Sequence, residues 1–132
     1  MNLGKQLVIS SDIMLMVVYD LWEDAEDRYF FDYDSYEIRS KDELVEGNSY
    51  VIPLVHIPEV VVMKEFIVSL NDRRIIKEFR SLSPKETWSR FWIYFDDDGI
   101  LSSRWSKFDE DYRKKLIIDW CENNGISYRM EL

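Results

Sequence analysis

A chain of 132 residues has the length of one domain, and its hydrophobic content of 46% is above that of disordered chains. The longest apolar run, residues 13–19, is shorter than the roughly 18 residues of a membrane-spanning helix, so no spanning segment is predicted. The net charge is −9: residues 1–60 hold 13 acids against four bases, and residues 61–132 hold 13 of each. This excess disfavours nucleic acid and anionic membranes as partners and favours basic proteins, although solubility is the ordinary role of such charge.

The cysteine count and the N-terminal residues predict the compartment. Cys121 is the single cysteine, so no intrachain disulfide can form. Lys5 is the only early positive charge, and Asp12 interrupts the sequence before any long apolar core, which argues against a secretory signal. We therefore predict a cytoplasmic protein.

The first half of the chain predicts one helix followed by a small sheet. Ser10 or Ser11 can cap a helix running roughly over residues 12–22, although its all-round apolar character keeps a buried strand as the competing prediction. Aromatic and β-branched residues then predict a hairpin with a polar turn, followed by a third strand. The three strands are predicted at residues 28–33, 36–39 and 49–54, with Asp34-Ser35 at the turn.

From Pro58 onward the apolar period becomes helical. Apolar residues at i, i+3, i+7 and i+10 predict an amphipathic helix that starts near Pro58, and Asp72 can cap a short successor. The clearest start is Ser83-Pro84-Lys85-Glu86, where a capping Ser, a Pro at the first helical position and a Glu at the third coincide. An aromatic stripe follows it, made of Trp88, Phe91, Trp92 and Phe95.

Gly99 is predicted to end that helix, and a last helix is predicted to start near Ser106 or Asp109. Asn123-Asn124-Gly125 is predicted to stop the last helix, and alternation over residues 126–130 predicts a final strand. The sum is an α+β fold in a single domain, 1–132, with a small antiparallel sheet from the N-terminal half packed on a layer of four to five helices.

The acidic run DLWEDAEDRYFFDYDSYE could hold a metal ion. A calcium loop starting at Asp32 fails, because its fifth and sixth positions are Tyr36 and Glu37 where the loop needs an oxygen ligand and a Gly. Asp32 and Asp34 on hairpin strands would still permit a weak divalent-ion contact. A metal-assisted enzyme or ion-binding module is therefore one alternative function.

Other chemistry has less support in the sequence. His56 is the only histidine, which excludes a multi-histidine metal site, and Glu59 could orient it. A nucleophilic pair of Cys121 and His56 is conceivable, but Cys121 follows Trp120 on the inner face of a helix and is typical of a small core residue. We predict no cofactor and lean against an enzyme.

Basic helix residues leave a third alternative, a nucleic-acid-associated regulator. Trp88, Trp92 and Trp105 could stack bases, and arginines such as Arg73 and Arg74 could hold phosphates. Helical spacing instead favours the two tryptophans of the stripe as core residues, and acids elsewhere cancel the positive field. Nucleic acid is therefore an unfavoured partner.

Four short stretches from Tyr50 onward carry a resemblance to a family: YVIPLVHIPEVVVMKEFIVSLND, the Trp88–Arg90–Phe91 region, GILSSRWSKF and IIDWCENNGI. They resemble a bacterial group known as uncharacterised protein family zero-one-five-eight, and the likeness covers roughly residues 10–127. The resemblance implies a small soluble bacterial protein. It carries no catalytic residues that can be transferred.

Charge asymmetry and aromatic residues beside carboxylates predict a non-enzymatic module that docks a basic protein partner, of which an immunity protein or antitoxin is a concrete version. The sequence does not predict an oligomeric state. The predicted docking residues are Trp22, Glu23, Asp24, Glu26, Asp27, Asp32, Asp34, Tyr36 and Glu37.

Overall fold

The computed structural model describes residues 4–19, 22–23, 26–44, 50–95 and 99–132. Helices and short strands together give the predicted α+β class. A short 3-10 helix, Lys41–Glu43, follows the fourth strand. The other elements in chain order are β1 (Leu7–Ile9), α1 (Ser11–Met16), β2 (Val18–Tyr19), β3 (Tyr29–Asp32), β4 (Glu37–Ser40), β5 (Val51–Pro53), β6 (Ile57–Pro58), α2 (Glu59–Ser69), α3 (Arg73–Arg80), α4 (Pro84–Phe95), α5 (Gly99–Asn123) and β7 (Tyr128–Met130).

The chain divides into two compact units. The first comprises Met1–Val17, Glu26–His56 and Arg113–Leu132, and the second comprises Val18–Ala25 and Ile57–Tyr112. Each unit is assembled from segments that are distant in sequence. The prediction of a single domain stays a prediction.

The first unit contains the predicted antiparallel sheet, in the strand order β4-β3-β5. Phe31 in the central strand is fully buried, and its ring lies 6.1 Å from that of Trp120. The sequence did not predict a second pairing, in which β1 and β7 run parallel with Leu7 opposite Tyr128. The N–H of Leu7 donates to the carbonyl of Ser127 at 2.8 Å.

The predicted first helix is too long. Ser10 caps α1 by accepting the N–H of Ile13 at 3.4 Å, but the helix ends at Met16. The following Val18 and Tyr19 form β2, which pairs in parallel with β6. Helix and competing strand are therefore each correct for a part of this segment, because the β-branched Val18 and the aromatic Tyr19 favour an extended backbone directly after this short helix.

The second unit contains the helices that the caps predicted. Asp72 caps α3 by accepting the N–H groups of Arg74 and Ile75 at 3.0 and 3.4 Å. At α4, Ser83 Oγ accepts the N–H of Glu86 at 3.2 Å, and Glu86 Oε1 accepts the N–H of Ser83 at 3.1 Å. These two bonds confirm the capping box. An aromatic core surrounds Phe66, whose ring contacts those of Phe91, Phe95, Trp105 and Phe108.

The predicted role of Gly99 is wrong, since α5 begins at this residue and runs to Asn123. The predicted starts at Ser106 and Asp109 both fall inside α5. The earlier start is stabilised by burial of Trp105, whose ring lies 4.7 Å from that of Phe91. None of the described helices has the length and apolar character that crossing a membrane requires.

The predicted stop after α5 is confirmed. Gly125 takes a positive φ of 65°, and the N–H of Ile126 returns to the carbonyl of Cys121 at 2.9 Å. Such a left-handed residue allows the chain to reverse and to satisfy a carbonyl of the last helical turn. The reversal places β7 directly after the helix.

Candidate functional site

The acidic run folds into the β3–β4 hairpin, and its turn forms without the usual Gly. Asp32, which is 6% exposed, closes the turn from within. Its Oδ1 accepts the N–H of Asp34 at 2.8 Å and the N–H of Ser35 at 3.4 Å, as in an Asx turn. Its Oδ2 lies 3.5 Å from Nε of Arg39. The Asp32 carboxylate is thus a structural group, and the turn can do without the Asn-Gly pair.

Tyr36 supplies the left-handed residue of this turn, with φ of 59°. A non-Gly residue in this region carries backbone strain, which the surroundings must offset. The side chain is 5% exposed, its ring lies 4.9 Å from that of Phe31, and its hydroxyl accepts the N–H of Ser127 at 2.8 Å. Tyr36 therefore belongs to the core of the first unit and not to an exposed docking surface.

Two further tyrosines stand at the turn end of the hairpin, and the sequence-based site lacked both. Tyr33 donates its hydroxyl proton to the carbonyl of Asn124 at 2.9 Å, and burial raises the pKa of this phenol. The ring of Tyr50 lies 5.0 Å from that of Tyr33 and is 71% exposed. Tyr50 precedes β5, so only the pairing of β5 with β3 could have placed it here.

Asp34 and Glu37 carry exposed carboxylates at the same end of the sheet as these rings. Glu37 is 67% exposed at its side chain, and its Oε2 lies 3.5 Å from Nη2 of Arg39. Asp34 is exposed at the tip of the turn. Tyr50 is exposed at the same end of the sheet but on the opposite face from Glu37, because Tyr50 packs on Tyr33 whereas Glu37 is paired with Asp32. We call this turn end of the sheet, with its exposed side chains of Asp34, Glu37 and Tyr50, the hairpin surface.

Glu26 and Asp27 lie before β3, at the opposite end of the hairpin, and both are exposed. Asp27 holds His56, whose Nε2 donates to Asp27 Oδ1 across 2.8 Å. The sequence did not predict this pair, because the two residues are 29 positions apart and meet only through the antiparallel pairing of β3 and β5. The carboxylate of Asp27 is therefore already hydrogen-bonded to His56 of the same chain.

The remaining predicted docking residues lie in the second unit or outside the described residues. Trp22 is half-buried, with its ring 5.8 Å from that of Trp88 and with Lys85 Nζ 5.4 Å from its centre. Glu23 is exposed, and Asp24 lies outside the described residues. Trp22 thus packs within the second unit.

The structure gives Cys121 the position of a core residue. The thiol is fully buried, and burial raises its pKa to about 12. A nucleophilic cysteine needs thiolate character near neutral pH, whereas this thiol stays protonated there. Within the described part of the chain, no group of three or more His, Cys, Asp or Glu side chains is placed to hold a metal ion.

The fold and the site define an α+β chain with an acidic, aromatic hairpin surface. No family model matches the chain, and comparisons with curated proteins and with solved structures find no match either. The resemblance to uncharacterised protein family zero-one-five-eight stays a prediction carried by its short sequence stretches.

Proposed function

We propose that this chain is a non-enzymatic binding module that docks a basic protein partner through the hairpin surface. The observation that carries the proposal is the exposure of Asp34, Glu37 and Tyr50 together at the turn end of the β3–β4 hairpin. The segment 26–56 that builds this sheet contains eight acids against three bases, so its field attracts cations.

The contacts beneath the hairpin surface favour rigid recognition. Tyr50 rests on Tyr33, and the hydroxyl of Tyr33 is bonded to Asn124, so the exposed ring has a fixed support. Tyrosine supplies a large contact area at low entropic cost, and carboxylates at the rim accelerate encounter with a basic protein. The surface therefore combines an aromatic anchor with electrostatic steering.

The setting of this function is part of the same proposal. We place the protein in the bacterial cytoplasm, on the strength of its single free cysteine and of the resemblance given above. An immunity protein or antitoxin is the most concrete version, because a small acidic binder suits a basic toxin.

The experiment is affinity capture from the native host at low and at moderate salt. We expect the wild-type chain to retain a basic protein, and the double variant Asp34→Lys/Glu37→Lys to lose it. The matched control is Asp119→Lys/Glu122→Lys, which makes the same charge change at exposed positions of α5. Recovery of no basic partner at either salt, or equal loss in both double variants, contradicts the proposal.

A second candidate, association with nucleic acid, rests on α3. Its basic residues Arg73, Arg74, Lys77 and Arg80 are exposed, and its one carboxylate, Glu78, is held by Arg90 at 2.9 Å. A gel shift at low salt tests it, because even non-specific binders shift nucleic acid there. The net charge of −9 makes this the weaker candidate.

A further inference from the structure

A cavity of about 540 Å³ lies in the first unit beside the hairpin surface. Two runs of consecutive residues, 4–8 and 35–38, line it, and Ile13 and Met16 of α1 complete it. Within these runs, residues 7–8 belong to β1 and residues 37–38 belong to β4. Because alternate side chains of a strand face opposite sides, one face of a strand cannot supply two consecutive residues. The cavity therefore runs along the edges of β1 and β4.

The hydrogen bonds of β1 show which of its backbone groups face this edge. The N–H of Leu7 donates to the carbonyl of Ser127, and the carbonyl of Ile9 accepts from the N–H of Glu131. The backbone hydrogen-bonding groups of both residues therefore face β7. In a parallel ladder the intervening residue directs its N–H and carbonyl to the other side. Val8 is that residue, and it lines the cavity.

The same reasoning applies to β4. The N–H of Lys41 donates to Arg28 at 3.0 Å, which fixes the hydrogen-bonded positions of the β3–β4 ladder at every second residue. The backbones of Phe30 and Arg39 are therefore hydrogen-bonded to each other. Ile38 lies between Glu37 and Arg39, so its backbone N–H and carbonyl point away from β3. Ile38 also lines the cavity. Among the described residues, β1 pairs with β7 alone and β4 with β3 alone.

We propose that this cavity accepts an extended segment of a basic partner protein, which adds a strand between β1 and β4. The inference rests on the proposed function and gives its binding mode. The backbone of the added strand bonds Val8 on one side and Ile38 on the other. Its apolar side chains contact Ile13 and Met16.

Charge at the mouth of the cavity selects the occupant. Glu37 lines it, and Asp34 lies beside it at the tip of the turn. Lys5 is the cation of the lining, and its Nζ donates to the carbonyl of Asp34 at 3.0 Å. Arg39 faces both Asp32 and Glu37 at 3.5 Å. Three carboxylates, those of Asp32, Asp34 and Glu37, thus stand against two cations here, so lysines or arginines on the occupant are favoured over carboxylates.

In the test, three synthetic peptides are titrated into the full chain. NMR measures their binding, and amide hydrogen exchange measures the protection of individual N–H groups. The first is acetyl-Lys-Val-Lys-Val-Lys-Val-Lys-amide, the second carries Glu in place of Lys, and the third is the Lys peptide with its valines N-methylated. We expect the Lys peptide to protect the N–H groups of Val8 and Ile38. Those of Leu7 and Arg39, already bonded in their ladders, serve as internal references.

N-methylation removes the donors along one edge of the peptide and leaves its charge unchanged. We expect it to weaken binding roughly tenfold or more, since it removes several hydrogen bonds. Glu37→Lys should weaken the Lys peptide, whereas Asp119→Lys should not. Equal binding of the methylated and unmethylated peptides overturns strand addition. If the N–H groups of Val8 and Ile38 are already protected without peptide, strand addition is also overturned. Protection that does not change with protein concentration then indicates an internal pairing, and protection that rises with protein concentration indicates a second copy of the chain.

The outcomes separate the two proposals. If affinity capture depends on Glu37 but the amides of Val8 and Ile38 stay unprotected, strand addition is overturned and the basic partner stands. If the Glu peptide protects the two amides as well as the Lys peptide does, the charge preference behind the proposed function is overturned.

Discussion

At the residue scale, the carboxylate of Asp32 organises the hairpin. It accepts two turn N–H groups and faces Arg39 while almost fully buried. We expect Asp32→Ala to lower the free energy of unfolding by about 1–3 kcal/mol, because the turn donors lose their acceptor. Urea unfolding followed by circular dichroism measures this loss. Asp34→Ala, in the same turn but exposed, is the control, and an equal loss in both variants would contradict the structural role of Asp32.

Cys121 makes the folding stability of the chain depend on pH in the alkaline range. Its pKa rises from the usual value near 9.0 to about 12 in the folded chain, because burial penalises the thiolate. Between these values the folded state binds more protons than the unfolded state, so stability is full below pH 9 and decreases as the pH rises toward 12.

We therefore expect the wild-type chain to lose stability over this range more steeply than Cys121→Ala does. Tyr112, whose pKa is also raised to about 12 by burial and by Glu65, keeps a part of the slope in both proteins. Denaturant midpoints at several pH values provide the measurement. Identical slopes would show that the thiol ionises in the folded chain as freely as in the unfolded one.

At the element scale, the start of α4 depends on the capping box of Ser83 and Glu86. Ser83→Ala removes the acceptor for the N–H of Glu86, and we expect a loss of about 0.5–2 kcal/mol. Thermal and urea unfolding measure it. Ser89→Ala, an exposed change within the same helix, should leave the stability nearly unchanged. A neutral Ser83→Ala would mean that packing alone holds the first turn of α4.

The helices with local signals could be predicted from sequence, and the shortest strands could not. Caps at Asp72 and Ser83 act on donors only two or three residues away, so the sequence itself contains their partners. The pairing of β1 with β7 joins segments from opposite ends of the chain and leaves no local pattern. Gly99 was wrongly predicted to end a helix, because glycine can occur at either end of a helix. The burial of Trp105 against Phe91 stabilises the helix that begins at Gly99.

The sequence predicted where the candidate site lies but not which residues form it. Composition placed it at the acidic hairpin, where Asp34 and Glu37 are indeed exposed. It could not separate them from Asp32 and Tyr36, whose burial depends on the closed turn and on Ser127, a residue 91 positions from Tyr36. Tyr50 was missed because its exposure beside the turn follows from strand register.

At the scale of the whole molecule, the two ends of the described chain stabilise each other. Deleting residues 127–132 removes β7 and exposes Leu7 and Ile9, which are buried in the intact chain. We expect a loss of roughly 3 kcal/mol or more from this apolar exposure. Urea unfolding tests it, with deletion of the exposed Leu132 alone as the control. An unchanged midpoint in the longer deletion would show that β1 is held by other contacts.

The parallel pairing of β1 with β7 also orders events during synthesis. Leu7 is synthesised 120 residues before its backbone partner Ser127. The first strand must therefore wait in the nascent chain with its apolar side chains uncovered, while the contiguous helices α2 to α4 have all their residues available. The first unit is therefore completed only after the residues of the second unit have been made, and a chaperone that shields residues 7–9 would act in this interval.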